Sequence, residues 1–451
     1  MELFKRCLRV SALLLLGNLP LLALLGPDLG LGYPALTIAL LAFYLWFHIR
    51  PRGDAPKGRL RALIGGYEIL LCSFCCVVAE TILYFALHGS DALTRTEWSA
   101  PAWVPLLVNA LVFVPMIGLL LVNGFFRVLI TSARLRVVWR VLLLLCWWVP
   151  VFNLYLFYRV LKGARAEYFF ALSRQELEEA HAENEDCKTR YPLVLVHGIF
   201  FRDWQLVNYW GRIPRALSRC GATIFYGRQQ SAAPVAVSAA ELAAHVREIV
   251  EKTGCQKVNL IAHSKGGLDS RYAISKLGLA DCVASLTTVN TPHRGCVFAH
   301  HLLDTLPEGV LRQMERKYNG LFHKLGDEKP DFRGGVENLT DTFCKEFNAS
   351  VPDAPDVYYQ SLMSTMKSPK SAGFPLNFTW RLVNKYDKQA NDGLVARSSA
   401  PWGEFLGEVT VPGRRGVSHG DIIDLLREDI PGFDIREYYI GLVKGLKAKG
   451  Y

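Results

Sequence analysis

The sequence predicts a two-part chain. A helical membrane module occupies residues 1–165, an acidic helical linker covers 166–190, and an α/β domain runs from 191 to 451. Three observations carry this. Long apolar runs crowd the first third. Strand-like and helix-like runs alternate in the remainder, the pattern of a mostly parallel sheet with helices on both faces. Charge divides at the same place: residues 1–165 hold 16 Lys and Arg against 7 Asp and Glu, while the rest holds 35 against 34. The formal +10 of the chain therefore belongs to the membrane part. That excludes a nucleic-acid binder, whose basic patch would lie on the folded domain.

Five apolar stretches make up the module: Val10–Leu25, Leu29–Phe47, Ala62–Leu87, Trp103–Phe126 and Val141–Tyr158. The last three are long enough for a hydrocarbon core that takes about 20 residues to cross. The first two are shorter and are broken by Gly26-Pro27-Asp28. Val10–Leu25 follows Lys5, Arg6 and Arg9 in the manner of a signal peptide. No small-residue cleavage site precedes Pro27, however, and another apolar stretch follows at once, so it is read as part of the module. Basic residues fall in alternate connections: Arg50, Arg52, Lys57, Arg59 and Arg61, then Arg127, Arg134, Arg136 and Arg140. The positive-inside rule puts these loops and the N-terminus in the cytoplasm. Five crossings then place the α/β domain outside, in an inner- or plasma-membrane protein whose C-terminal domain faces the exterior or periplasm. Arg159, Lys162 and Arg165 pull the other way, and four crossings would place the domain inside.

Glu68 and Glu80 fall within the third stretch. Intramembrane carboxylates often mark function, but a hydrogen bond between helices, such as Glu80 to Asn109, is the simpler reading. Cys72, Cys75 and Cys76 are read as small apolar packing residues rather than metal ligands. Residues Glu167–Arg190 are polar, acidic and helix-prone, a spacer without chemistry.

In the α/β domain, strands are expected at Leu193–Val196, Thr223–Tyr226, Val258–Ile261, Ala284–Val289, Trp380–Asn384 and Glu408–Val411. Helices are expected at Glu241–Lys252, Gly267–Leu277, Ile422–Arg427 and Arg436–Lys447. The chemistry concentrates on Val258–Ala273, an apolar strand, a turn of small residues carrying Ser264, and the start of a helix. Ala262-His263-Ser264-Lys265-Gly266 has the form of a nucleophile elbow, with Ala262 where glycine is usual. Upstream, the strand at Leu193 runs into His197-Gly198. The loop after such a strand supplies one oxyanion-hole N–H and the residue after the nucleophile supplies the other. Here these are the backbones of Ile199 and Lys265. Downstream come Asn391-Asp392-Gly393 and Ser418-His419-Gly420. The order Ser264, Asp392, His419 makes His419 the base and Asp392 the residue that fixes its tautomer.

With these pieces in view, residues from about 190 onward resemble the bacterial triacylglycerol lipases of the Pseudomonas and Burkholderia type, which have the alpha/beta-hydrolase fold. The matching segments are Tyr191–Gly198, Tyr209-Trp210 with Ile213-Pro214, Lys257–Tyr272, Thr291-Pro292-His293-Arg294-Gly295, Asn391–Val395 and His419 with Asp421. The resemblance implies hydrolysis of carboxylic esters of lipid type through an acyl-enzyme on Ser264, Asp392 and His419. It also implies a structural calcium, for which Asp421 matches one ligand position. The second aspartate of that site has no counterpart between Lys367 and Thr379, and one ligand does not make a calcium site, so no cofactor is expected to be required. An insertion at about 297–375 is expected to include a lid, with apolar helical spacing over His300–Leu325.

Of the other histidines, His197, His263 and His293 are read as structural or orienting, and His300, His301 and His323 as surface residues. Cys187, Cys220, Cys255, Cys282, Cys296 and Cys344 fit no disulfide framework or zinc spacing. Asn338, Asn348 and Asn377 head N-x-S/T triplets. An acyltransferase sharing the triad, and a membrane scaffold with a relic fold, remain open beside the lipase or esterase reading. The expected partners are a membrane and a lipid or ester substrate.

Overall fold

In the computed structural model the described residues are 1–25, 31–52, 55, 58–88, 103–135, 137–146, 149–199, 208–324 and 327–451. They form two compact units, Met1–Glu176 and Leu177–Tyr451.

The first unit is all helical: α1 Glu2–Gly17, α2 Leu19–Leu25, α3 Gly32–Ile49, α4 Arg59–His88, α5 Trp103–Thr131, α6 Val137–Leu145 and the start of α7, Pro150–Glu183. Three of these, α3, α4 and α5, are long and apolar enough to cross a membrane. Two of the sequence expectations change here. The second apolar stretch makes an 18-residue helix, so it is not too short to span. The fifth is no continuous span, because α6 stops at Leu145 and α7 starts afresh at Pro150. Proline has no N–H to carry an existing helix onward and is suited to beginning a new one. The polar spacer, in turn, is the C-terminal half of α7 and not a separate element.

Glycines let α4 and α5 approach closely. A Cβ on Gly66 would lie 2.9 Å from the Gly124 carbonyl oxygen, and one on Gly124 would lie 2.8 Å from Leu70 Cγ. Small residues at such contacts let the two backbones pack closely. Polar side chains pair inside the unit. Glu68, fully buried, accepts from Arg6 Nε and Nη2 and from Arg9 Nη1, each at 2.9 Å. Glu80 accepts from Asn18 at 2.7 Å and from Asn109 at 2.8 Å. Both carboxylates thus join helices to one another.

The second unit is built on six parallel strands, β1 Leu193–Val196, β2 Ile224–Tyr226, β3 Val258–His263, β4 Val283–Val289, β5 Tyr358–Ser364 and β6 Glu404–Val409, in the order β2-β1-β3-β4-β5-β6. The central strands are buried on both faces, as parallel sheets require. Against one face pack α8 Ile213–Arg219 and α16 Ile435–Ala448, with Trp210, Leu217, Tyr439 and Val443 in the core. Against the other pack α9 Val235–Thr253 and α10 Lys265–Lys276, contributing Leu242, Val246 and Ile274. Between β4 and β5 are inserted α11 Val297–Thr305, α12 Glu308–Lys324, α13 Phe332–Glu337 and α14 Asp341–Ser350. The insertion ends before Tyr358, so β5 lies inside the range expected for the lid.

Two further expectations give way. Trp380–Asn384 is not a strand but part of helix α15, Leu376–Tyr386, which buries Thr379 and Val383 four residues apart. Ile422–Arg427 is not a helix. A single 3-10 turn, Asp421–Ile423, is ended by positive φ at Asp424 (57°) and Arg427 (53°). Asp424 is held there because its buried carboxylate accepts from Arg212 N at 2.7 Å, Nε at 2.8 Å and Nη2 at 2.8 Å.

This pair ties α8 to the loop that follows His419. Asp424→Ala takes this carboxylate from Arg212, which keeps Asp429, and puts an alanine at positive φ. It is expected to cost about 1–3 kcal/mol, read as a lowered thermal midpoint of the full chain in detergent. Asp424→Asn, which tolerates positive φ and keeps one acceptor, should cost less. Equal losses would contradict this role.

Candidate active site

The C-terminal ends of the strands carry the site, as is usual for open parallel sheets. Chain leaving β3 enters α10 through Ser264, at φ 54° and ψ −131°. This backbone is sparsely populated for any residue with a Cβ, and costs of order 1–3 kcal/mol. It persists because its surroundings leave no alternative. Ser264 N donates to Val289 O at 2.9 Å. A Cβ on Gly266 would meet His197 O at 2.4 Å, and one on Gly267 would meet Thr291 Oγ1 at 2.2 Å. The end of β1 passes just as close, since a Cβ on Gly198 would lie 2.8 Å from Ser264 Cβ.

Asp392 and His419 come together from loops on either side of β6. Asp392 is fully buried. Its Oδ1 accepts from Leu394 N at 2.8 Å and Val395 N at 2.7 Å, and its Oδ2 faces His419 Nδ1 at 2.6 Å. The backbone repeats the link, His419 N donating to Asp392 O at 2.8 Å. A carboxylate so placed puts the imidazole proton on Nδ1 and leaves Nε2 as the basic nitrogen. His419 lies against His263, next to Ser264, with ring centroids 4.5 Å apart and the planes tilted by 51°. Among the described residues the Ser264 hydroxyl makes no hydrogen bond to the imidazole, a contact that often tightens only when substrate binds. Asp387 lies elsewhere: it caps Gln389 N and accepts from Ser398 Oγ.

The Ile199 and Lys265 amides are not taken by any backbone acceptor among the described residues. Residues 200–207, which continue the loop after Ile199, lie outside them. Tyr209 organises this corner. Its hydroxyl accepts from Gly198 N at 3.1 Å and contacts His263 Nδ1 at 2.6 Å. Burial, together with the neighbouring His419, holds His263 well below the usual histidine range, so it is the neutral acceptor of the tyrosine proton. His197 is bound to Gly198 O and Gln229 O. His293 contacts Thr288 Oγ1 and stacks on Trp402.

Behind the elbow lies an ion pair to which sequence reading gave no role. Lys265 and Asp269 are 1 % and 2 % exposed. Lys265 Nζ donates to Asp269 Oδ1 at 2.7 Å and to Ser238 Oγ on α9 at 3.0 Å. The spacing of a lysine and an aspartate one helical turn apart is the signal that identifies the pair. Burial pushes the Asp269 carboxyl up to about 6, against the pull of Lys265.

Asp421 does not fit the calcium implied by resemblance. Its Oδ1 meets Arg415 Nη2 at 3.0 Å and its Oδ2 accepts from Ser418 N at 3.0 Å. Arg415 also reaches Glu428 at 3.1 Å, so a guanidinium occupies the place of a cation. Among the described residues no three His, Cys, Asp or Glu side chains are grouped to hold a metal. Two of the N-x-S/T asparagines are structural: Asn338 Oδ1 accepts from Val235 N, and Asn348 bridges Arg271 and His293 O.

Residues 191–386 match the family described as the alpha/beta hydrolase fold. A triacylglycerol lipase of Burkholderia plantarii is 34% identical over 188 residues, covering 39% of this chain and 52% of that protein. Triacylglycerol lipase 2 of Saccharomyces cerevisiae is 28% identical over 265 residues, 54% of this chain and 75% of that protein. Among solved structures, a mature lipase of Bacillus licheniformis aligns at 23% identity with a TM-score of 0.42, covering 56% of this chain and 91% of that one. The chain spans about half the length of the lipases of Burkholderia plantarii and Pseudarthrobacter phenanthrenivorans that it matches, 52% and 55%.

Lys265→Met alone leaves Asp269 buried without a partner and is expected to cost about 3–5 kcal/mol. Adding Asp269→Leu should restore most of that loss. A carboxyl whose folded pKa is raised favours the fold below its ordinary value of 3.8, and that contribution fades as pH rises through about 6. Without Lys265 the folded Asp269 carboxyl lies higher still, so the deficit of Lys265→Met should shrink as pH is lowered toward 6 and stay level below it. Thermal melts of the full-length single and double variants across pH 5–8 check both points, and a double variant as unstable as the single would contradict them.

Proposed function

We propose that this chain, whose C-terminal domain is an alpha/beta hydrolase of lipase type, is a membrane-anchored serine hydrolase cleaving carboxylic esters of lipids. The observation that carries the reading is the strained Ser264 turn standing beside an imidazole oriented by Asp392 at 2.6 Å. In the proposed reaction His419 Nε2 takes the Ser264 hydroxyl proton as Oγ attacks the ester carbonyl. The oxyanion is met by the N–H groups of Ile199 and Lys265. As the carbon–oxygen bond to the leaving alcohol breaks, His419 returns the proton to that alcohol. Water then enters, gives a proton to His419 as it adds to the acyl carbon, and the acid leaves as the bond to Ser264 Oγ breaks and His419 returns the proton to that oxygen. Asp392 stays ionised throughout and balances the imidazolium.

Two features support a lipid over a small soluble ester. Helix α15, whose Leu376 packs against Gly393 beside Asp392, turns aromatic residues outward. Phe374, Phe378 and Tyr386 are 86%, 60% and 57% exposed, among exposed Lys370, Arg381 and Lys385. Exposed aromatics flanked by basic side chains suit a lipid surface. The three helices long enough to cross a membrane would hold the domain near one.

Ser264→Ala and Asp392→Asn are each expected to lower kcat for a p-nitrophenyl ester by roughly 10⁴, while Asp387→Asn stays near wild type. Full activity in Asp392→Asn with loss in Asp387→Asn would reverse the assignment. Activity and thermal midpoint should also survive dialysis against EGTA, because Arg415 already neutralises Asp421. A large drop restored by added calcium would show that other oxygens complete a calcium site.

A further inference from the structure

We infer that the hydrolase domain is delivered to the cytoplasmic side of the membrane, so that its ester substrates are drawn from the cytoplasmic leaflet. The inference rests on the membrane-anchored hydrolase reading above, and it reverses the outward placement expected from five crossings.

Side-chain pairing fixes the direction of each helix in the first unit. Arg6 and Arg9 of α1 pair with Glu68 of α4, while Asn18, just past α1, meets Glu80 further along α4. The two helices therefore run in parallel. Tyr44 of α3 donates to Met116 O of α5, and His48 meets Asn123, so α3 and α5 also run together. Asn109 near the start of α5 meets Glu80 in the later part of α4, so α5 runs opposite to α4. One face of the module thus carries the N-terminus, the end of α3, the start of α4 and the end of α5.

Helix α7 returns to that same face. Phe157 packs against Phe74 and Phe125, with centroids at 5.5 and 5.8 Å. Ten residues later Glu167, 3 % exposed, accepts from Ser132 Oγ at 2.7 Å, Ala133 N at 3.0 Å and Arg134 N at 3.3 Å, and pairs with Arg59. Arg52 lies over the Tyr168 ring. From Phe157 to Glu167 the helix thus moves back toward the start of α4 and the end of α5. Since α6 leaves from this face after Thr131 and α7 comes back to it, the pair is a hairpin. It adds no net crossing, however deep it reaches.

Charge gives that face its side. Among the described residues, Lys5, Arg6 and Arg9, Arg50, Arg52, Arg59 and Arg61, and Arg127, Arg134 and Arg140 belong to its segments. Arg159, Lys162 and Arg165 lie on the part of α7 that approaches it, which removes the conflict they posed for an outward domain. Short connections rich in Lys and Arg stay in the cytoplasm. The chain therefore leaves the module on the cytoplasmic side.

The test uses the full chain in sealed right-side-out and inverted membrane vesicles, treated with a charged fluorophosphonate that does not cross bilayers. Labelling is expected to be at least tenfold stronger in inverted vesicles and absent in Ser264→Ala. Stronger labelling in right-side-out vesicles overturns the inference. If no serine is labelled even after detergent is added, the nucleophile reading fails and the side is read from fusions to Tyr451. Green fluorescence without alkaline phosphatase activity then upholds the cytoplasmic placement, and phosphatase activity without fluorescence overturns it.

Discussion

The architecture of the C-terminal domain turns on one backbone conformation, the positive φ at Ser264. A serine there is strained, and the strain persists only because the turn is clamped on every side. β3 is paired to β1 and β4, the Ser264 amide is bound by Val289, and three glycines remove every Cβ that would push the chains apart. Gly266 and Gly267 bring α10 against the ends of β1 and β4, and Gly198 brings the candidate oxyanion loop against the serine. The sheet order follows from the same demand. With β1 and β3 adjacent, the loop after β1 and the turn after β3 end side by side.

Around this turn the protein uses internal charge pairs to hold shape. Arg212 fixes Asp424 and Asp429, Arg415 fixes Asp421 and Glu428, and Lys265 fixes Asp269 and Ser238. Such pairs add little net stability over apolar packing, but losing one partner is costly. Their effect is to permit one arrangement of the loop after His419 and of the first turn of α10. The helical unit follows the same logic, with Glu68 joining α4 to α1 and Glu167 joining α7 to the ends of α4 and α5. In each case a charge that would be a liability in an apolar setting becomes a constraint on how elements meet.

What the sequence made legible was local. Val258–Gly267 declared strand, turn and helix because apolar run, small residues and serine sit within ten positions. The hydrolase order of serine, aspartate and histidine nominated two residues that the fold places 2.6 Å apart. Short segments without a clear period were misread. Trp380–Asn384 carries Trp, Leu and Val within five residues, yet its burial follows Thr379 and Val383 on a helix. β5 carries Gln360 and Ser361 between its apolar residues and passed as part of the insertion. Ile422–Arg427 looked helical because its stop signals are Asp424 and Arg427 rather than glycine. Least legible was the end of the helical unit: Val141–Tyr158 reads as one apolar run, yet the helix breaks between Leu145 and Pro150 and Glu167 meets Ser132 and Arg59.

The functional account joins a strained serine, an oriented imidazole and two available amides to an outward aromatic face on α15. Its central claim is that Ser264 carries the acyl group between two half-reactions. The most direct measurement is rapid-quench mass spectrometry of the full chain mixed with a p-nitrophenyl acyl ester, alongside the early burst of p-nitrophenol. The account predicts a burst near one equivalent and a single acyl group on the peptide that contains Ser264. An acyl group on another residue, or turnover with no acylated protein at any time, would contradict it.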